Sequence, residues 1–187
     1  MNPDRVFVGL GANLGESAQT LAQALQALAA LPQTRLVAAS SLYRSRPVDA
    51  QGPDFFNAVA ELATALTPRE LLLALQGIER AHGRERPYRN APRTLDLDLL
   101  LYGNRVVDEP GLTVPHPRLH ERAFVLLPLN ELAPGLVHPR LGPLDDWRGR
   151  VGGQAIERLA QPIPPDPVGR PPRMPRRQTD DGPDTGR

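Results

Sequence analysis

Arg93-Thr94-Leu95-Asp96-Leu97-Asp98-Leu99-Leu100-Leu101 alternates polar and apolar residues from Thr94 to Leu99, the period-two signature of a half-buried strand. In such a strand Leu95, Leu97 and Leu99 face a core, while Thr94, Asp96 and Asp98 share the opposite face. Asp has poor strand propensity, and carboxylates at i and i+2 lie only about 6.6 Å apart along a strand. Like charges that close repel unless a cation or a shared proton neutralises them. A hard divalent ion is the simplest neutraliser, because Mg²⁺ takes one or two protein carboxylates and completes its shell with phosphate oxygens. A solvated strand face carrying Asp for solubility fits the same spacing. The pattern alone leaves both readings open.

Upstream of this strand, residues 84–89 hold three arginines, Arg84, Arg86 and Arg89. Before them, Thr67-Pro68-Arg69-Glu70 forms a capping box with proline at the first helical position. The helix it opens carries Leu71, Leu75 and Ile78 on one face and ends near Gly83. A strand is expected over 55–62, with Phe55, Asn57, Val59 and Glu61 on one side and Phe56, Ala58, Ala60 and Leu62 on the other. Residues 45–54 form a loop longer than a hairpin needs, and long loops often act as lids. A further strand is expected over 36–43.

At the start of the chain a short buried strand over 6–10 runs into Gly9-Leu10-Gly11-Ala12-Asn13-Leu14-Gly15, read as a glycine-rich turn. It is no dinucleotide fingerprint, since the third glycine of G-x-G-x-x-G would fall at Leu14. Ser17 is placed to cap the following helix, in which Leu21, Leu25 and Leu28 recur at helical spacing until Pro32. Downstream, Tyr102-Gly103-Asn104 is expected to turn the Asp strand back into Val106 and Val107. Val114-Pro115-His116-Pro117 then leads to a helix over 121–132. The order β-α-β-β-α-β predicts an α+β, ferredoxin-like two-layer sandwich with an additional C-terminal hairpin and helices. Residues 1–161 form the expected domain. Residues 162–187 are rich in Pro, Arg and Asp with little apolar periodicity, and read as a disordered tail.

Composition narrows the chemistry. The net charge of +1 gives no argument for bulk nucleic-acid or membrane binding. Cysteine is absent, which excludes disulfides, thiolate zinc ligands and thiol catalysis. All 22 basic residues are arginine, so a Walker A lysine, a Schiff base and a lysine general base are excluded as well. Any phosphate must be held by the planar guanidinium fork. No basic-then-apolar leader precedes the first strand and no apolar run approaches about 20 residues. A cytoplasmic monomer acting on small molecules, without nucleic-acid or membrane partners, is the expectation.

The Asp pair beside the Arg-rich loop fits a metal-bound polyphosphate, the carboxylates holding ions and the guanidiniums holding oxygens bidentately. Phosphoryl-type transfer needs mainly positioning and charge neutralisation, so no protein nucleophile is required. Without the Asp pair the Arg loop reads as a solvated segment. Phe55 and Asn57 share a strand face, where they can stack on and pair with a flat heterocycle, or serve as a core Phe and a satisfied Asn. His116, between two prolines, suits a phosphate contact or turn geometry. His82, His120 and His138 show no ligand spacing with it. Two other classes share parts of this pattern. A ferredoxin-like nucleic-acid binder would place basic and aromatic residues, not two Asp, on its sheet. A metal-dependent phosphodiesterase would add a His or a third carboxylate.

Phe55-Phe56-Asn57-Ala58-Val59, Gly83-Arg84, Pro92-Arg93-Thr94-Leu95-Asp96-Leu97-Asp98, Leu112-Thr113-Val114-Pro115-His116-Pro117-Arg118 and Glu121-Arg122-Ala123-Phe124-Val125-Leu126 resemble the 6-hydroxymethyl-7,8-dihydropterin pyrophosphokinases. The resemblance spans about residues 6–134. It implies a ferredoxin-like enzyme of folate synthesis that moves pyrophosphate from ATP to the hydroxymethyl group of a dihydropterin. It further implies that Asp96 and Asp98 ligate two Mg²⁺ ions and that Arg84 and Arg93 stabilise the transferring group. Gln76, Glu79, Leu99, Thr113, His116 and Arg122, with Arg84 and Arg93, would line the ATP site. Phe55 and Phe124 would sandwich the pterin, with Asn57 on its polar edge and backbone groups of Ser45 and Val48 beside it. The loops over 45–54 and 83–91 would close over the substrates. Asn90-Ala91 stands where many members carry Trp-Gly, Arg46 where a small residue or proline is common, and Pro117 where many have Tyr.

Overall fold

A computed structural model describes residues 4–47, 52–83 and 94–160. Its first half comprises β1 (Asp4–Ala12), α1 (Ser17–Ala29), β2 (Thr34–Ala39), β3 (Tyr43–Ser45), β4 (Phe55–Thr64), α2 (Pro68–Ala81) and β5 (Asp96–Tyr102). Then follow β6 (Val107–Glu109), β7 (Leu112–Val114), α3 (Ala123–Leu132), β8 (Val137–His138), β9 (Gly142–Pro143), α4 (Arg148–Val151) and β10 (Ile156–Arg158). In the main sheet β4 pairs with β1, β1 pairs with β5, and β2 and β3 share the other edge of β4, all antiparallel. Counting β2 and β3 as one interrupted strand, this is the expected ferredoxin-like order.

Both faces of the sheet are covered. Leu21, Leu25 and Leu28 of α1 and Leu71, Leu75 and Ile78 of α2 pack with Leu95, Leu97 and Leu99 on one side. On the other, Leu126 and Leu129 of α3 pack with Phe7, Val59, Leu100 and Leu101. The strict alternation of β5 therefore stops after Leu99. Phe7 pairs with Leu101 and Val8 with Leu99, leaving Leu100 as the extra residue of a β-bulge. A bulge shifts side-chain parity by one. Leu100 and Leu101 thus both serve the α3 side, and Tyr102 returns to the α1/α2 side, where its hydroxyl donates to the Leu66 carbonyl.

Several expectations need correction. The Gly-rich segment is no turn through its first half: β1 continues to Ala12, so Gly9 and Gly11 are strand residues. Ser17 does not cap α1. It is the first helical residue, buried, with Oγ donating to the Leu14 carbonyl at 3.3 Å, while the cap position falls on Glu16 without a side-chain bond. The strand expected over 36–43 is broken at Ser40: its N–H still donates to the Val59 carbonyl at 2.9 Å, but its Oγ accepts from Val59 N at 3.0 Å in place of a backbone carbonyl. Val107 pairs with Val114 in a separate hairpin rather than returning along β5. The capping box at Thr67 is present as expected, with both reciprocal bonds formed. Among the described residues no helix is long and apolar enough to cross a membrane. Residues 162–187 lie outside the described residues.

Candidate active site

The pairing register lines up a row of side chains on the α3 face of the sheet. Asp96 of β5 lies opposite Gly11 of β1, Gly11 opposite Asn57 of β4, and Asn57 opposite Tyr43 of β3. One row further in, Asp98 lies opposite Gly9 and Gly9 opposite Val59. Directly paired residues point to the same face, so two glycines form the floor between the carboxylates and Asn57. A Cβ at Gly9 would touch Leu100 at 3.4 Å, whereas one at Gly11 would meet only Asn57 Oδ1 at 3.5 Å. Among the described residues, Leu100 fills the space above Gly9, while nothing but Asn57 lies within 4 Å of a Cβ at Gly11. Sequence reading missed this floor. Its signal was the i, i+2 spacing of glycines in a strand otherwise made of Val, Phe and Leu.

Asp96 and Asp98 are both half-buried on this face. Arg122, just before α3, brings Nη1 to 4.0 Å from Asp98 Oδ2 and its guanidinium carbon to 5.6 Å from the centre of the Phe124 ring. Arg122 therefore links the acidic pair to the aromatic at the first turn of α3. His116 lies on the outer edge of β5, where its N–H donates to the Leu100 carbonyl at 2.8 Å. Its Nδ1 accepts from Arg118 N at 3.1 Å, which leaves the proton on Nε2 as a donor. Burial first, then the nearby Arg122, push its pKa down to about 4 against the opposing pull of Asp96. The ring is neutral at pH 7.

Glu79 is 1% exposed, and its Oε1 accepts from Leu97 N at 2.9 Å, so it satisfies the edge of β5 between the two Asp positions. Gln76 lies half-buried one turn before it on α2. Leu99 buries its side chain in the α1/α2 core, leaving only its main chain to offer a ligand. Thr113 is exposed on β7, with Oγ1 3.5 Å from Asp108 Oδ1.

Asn57 is 4% exposed, and its Nδ2 donates to Ser45 Oγ at 2.9 Å and toward the Phe55 carbonyl at 3.4 Å. A serine hydroxyl can donate or accept, but a carbonyl only accepts. The amide nitrogen must therefore face that side, and Oδ1 faces Gly11. Phe56 packs against the α1/α2 core, while half-buried Phe55 belongs to neither core. Asn57 is thus a satisfied, buried amide, while Phe55 is not a core aromatic among the described residues. Phe124 packs at the margin of the α3 core. The register thus brings Asp96, Asp98, Asn57 and Ser45 onto one sheet face, and Arg122 joins Asp98 to Phe124. Arg84, Arg93 and Val48 lie outside the described residues.

The acidic pair fits a hard cation: two carboxylates on one strand face, each partly open, with guanidinium and imidazole donors near them. Among the described residues no third acidic or histidine ligand joins them, and Mg²⁺ commonly completes its shell with water or phosphate oxygens. Residues 7–134 match the family described as 7,8-dihydro-6-hydroxymethylpterin-pyrophosphokinase (HPPK). The chain is 49% identical over 156 residues to the 2-amino-4-hydroxy-6-hydroxymethyldihydropteridine pyrophosphokinase of Pseudomonas aeruginosa, covering 83% of this chain and 96% of that one. Its likeness to the Haemophilus influenzae protein of the same name is 47% over 134 residues, 71% of this chain and 84% of that one. Among solved structures it superposes on a wild-type Plasmodium falciparum HPPK-DHPS with a TM-score of 0.65 at 13% identity, over 80% of this chain and 45% of the larger protein. It thus spans less than half of that two-part chain, and at this identity the likeness concerns the fold. The sequence match over most of its length shows that the chain belongs to the 7,8-dihydro-6-hydroxymethylpterin-pyrophosphokinase family.

Proposed function

We propose that this chain transfers the β,γ-diphosphate of ATP to the hydroxymethyl group of 6-hydroxymethyl-7,8-dihydropterin, a step of folate synthesis, and that residues 1–161 suffice for it. The observation that carries the reading is the row Asp96–Gly11–Asn57, which sets a cation-type site and an amide acceptor on either side of a bare floor. A flat ring over Gly11 can stack on Phe55 and Phe124 while Asn57 Oδ1 accepts from one of its N–H groups. The hydroxymethyl oxygen attacks the β-phosphorus, the bond from that phosphorus to the oxygen bridging to the α-phosphorus breaks, and AMP leaves with the bridging oxygen. The hydroxyl proton passes to solvent. Such a transfer depends on positioning and charge neutralisation.

Asp96 and Asp98 are the residues to hold Mg²⁺, two ions in this reading, which when bound offset phosphate charge. Arg122 and the neutral Nε2–H of His116 suit phosphate oxygens as donors, and Gln76, Thr113 and the main chain of Leu99 border the nucleotide. Glu79 acts on the site by fixing β5. Arg84, Arg93 and Val48 keep their proposed roles at the transferring group and the pterin. The protein is proposed to work as a cytoplasmic monomer. The test is AMP release from ATP in the presence of the hydroxymethyl dihydropterin, with and without Mg²⁺. AMP production that needs all three components is expected, and production independent of the pterin overturns the reading.

A further inference from the structure

Beyond the row of site residues, a polar cluster sits where the C-terminal end of α3 meets β3. Glu131 accepts from Ser41 N at 2.9 Å and Ser41 Oγ at 2.8 Å through Oε1, and from Tyr43 Oη at 2.8 Å through Oε2. Arg158 of β10 adds an ion pair at 3.3 Å and also donates to Ser41 Oγ. Burial works against the Glu131 carboxylate, yet the bonds from Ser41 and Tyr43 and the charge of Arg158 together hold its pKa below the usual range. Burial, then the bond to Glu131, push the Tyr43 phenol up to about 12. Tyr43 is a standing donor.

The strand this cluster grips is only three residues long. Its last residue, Ser45, supplies the hydroxyl that keeps the Asn57 amide nitrogen turned inward and Oδ1 toward Gly11. On the helix side, Glu131 follows Phe124 by seven residues, two turns or about 10.5 Å along the axis. One helix thus carries the Phe124 wall in its first turn and, beyond the internal Pro128, the anchor of the Asn57 wall in its last. We propose that Glu131 is a positioning residue that ties α3 to β3 and so sets the slot between Phe124 and the Ser45–Asn57 pair for a flat heterocycle. The inference rests on the pterin assignment above.

The test measures dihydropterin affinity by titration in the presence of Mg²⁺ and α,β-methylene-ATP, with affinity for that analogue measured separately. Glu131→Ala, which removes the bonds to Ser41 and Tyr43 and the Arg158 ion pair together, is expected to weaken pterin binding about tenfold, with analogue affinity unchanged. Tyr43→Phe removes one donor and is expected to weaken it about threefold. Glu131→Gln keeps an oxygen for Ser41 and should retain most of the affinity. Should Glu131→Ala fail to fold, the Tyr43→Phe value decides. Wild-type pterin affinity in a folded Glu131→Ala or Tyr43→Phe protein overturns the inference, as does an equal loss of pterin and analogue affinity. Wild-type protein that binds no pterin overturns the functional reading itself, which the variants alone do not touch.

Discussion

Asp96 and Asn57 lie on one row of the sheet with only Gly11 between them. Two strand spacings separate their backbones, about 9.6 Å. A carboxylate and an amide acceptor at that distance, across a floor without side chains, suit the two ends of one reaction: charge to neutralise on one side, a flat polar edge to hold on the other. Each side chain would be unremarkable alone. Their relation depends on β1 running straight between them with glycine at the matching position.

Gly11→Val tests the open floor. Valine favours strand geometry, and the nearest atom to a Cβ there is Asn57 Oδ1 at 3.5 Å, an ordinary contact. The variant is expected to keep or slightly raise the melting temperature while lowering pterin affinity at least about tenfold. Calorimetry beside pterin titration checks both halves, and unimpaired binding would mean that the ring lies elsewhere.

Asp96→Asn and Asp98→Asn are expected to lower kcat by at least about 10²-fold, because each weakens the hold on the cation that would offset the developing phosphate charge. Stability should hold or improve, since removing one of two close carboxylates relieves repulsion. Near-normal AMP release from both variants at saturating Mg²⁺ would remove the metal assignment.

Phe55→Ala and Asn57→Ala should weaken pterin binding and leave ATP binding nearly unchanged. Phe55 packs in neither core, so its loss costs little stability, whereas Asn57→Ala also strands Ser45 Oγ, a cost of about 1–3 kcal/mol. Titration of each substrate separately distinguishes this from general damage, which would weaken both alike.

How far the sequence led depended on whether a residue's partners were local. The Asp strand, the Thr67 capping box and the helix faces were legible because period and caps are written within a few residues. The break at Ser40 was not, because a side-chain hydroxyl replaces a ladder carbonyl there, and nothing adjacent to Ser40 marks it. Gly9 and Gly11 were misread because glycine signals turns in general, and their role as floor appears only once β1 is seen between β4 and β5. Glu131 escaped notice because its partners Ser41, Tyr43 and Arg158 come from distant parts of the chain. The resemblance to a family supplied site roles that spacing left open.

His116 should make stability depend on pH. Its folded pKa of about 4 lies below its ordinary value of 6.5. Between these values the unfolded chain binds the extra proton, so stability rises with pH through the window and falls as pH drops from 6.5 toward 4. The full effect is at most about 3–4 kcal/mol. His116→Asn, whose Oδ1 can replace Nδ1 as acceptor for Arg118 N, should flatten the slope of melting temperature against pH between 4 and 6.5. An unchanged slope would assign the acid sensitivity to other groups.

Two truncations separate the C-terminal segment from the last strand. Ending the chain after residue 161 removes a Pro- and Arg-rich stretch with little apolar periodicity to bury, and activity and melting temperature are expected to stay within error. Ending it after residue 154 removes β10, which pairs Ile156 with Ser45 and Arg158 with Tyr43. It also takes away the Arg158 guanidinium that bonds Ser41 and Glu131. The three-residue β3 would then be an open edge held by β4 and Glu131 alone. Lower stability and weaker pterin binding are expected together, with ATP affinity less affected because Asp96, Asp98 and Arg122 lie away from β3. Melting curves and separate substrate titrations on both truncated proteins decide the matter. A large loss in the longer one would show that residues 162–187 contribute to the fold, and full pterin affinity in the shorter one would show that β3 holds its place without β10.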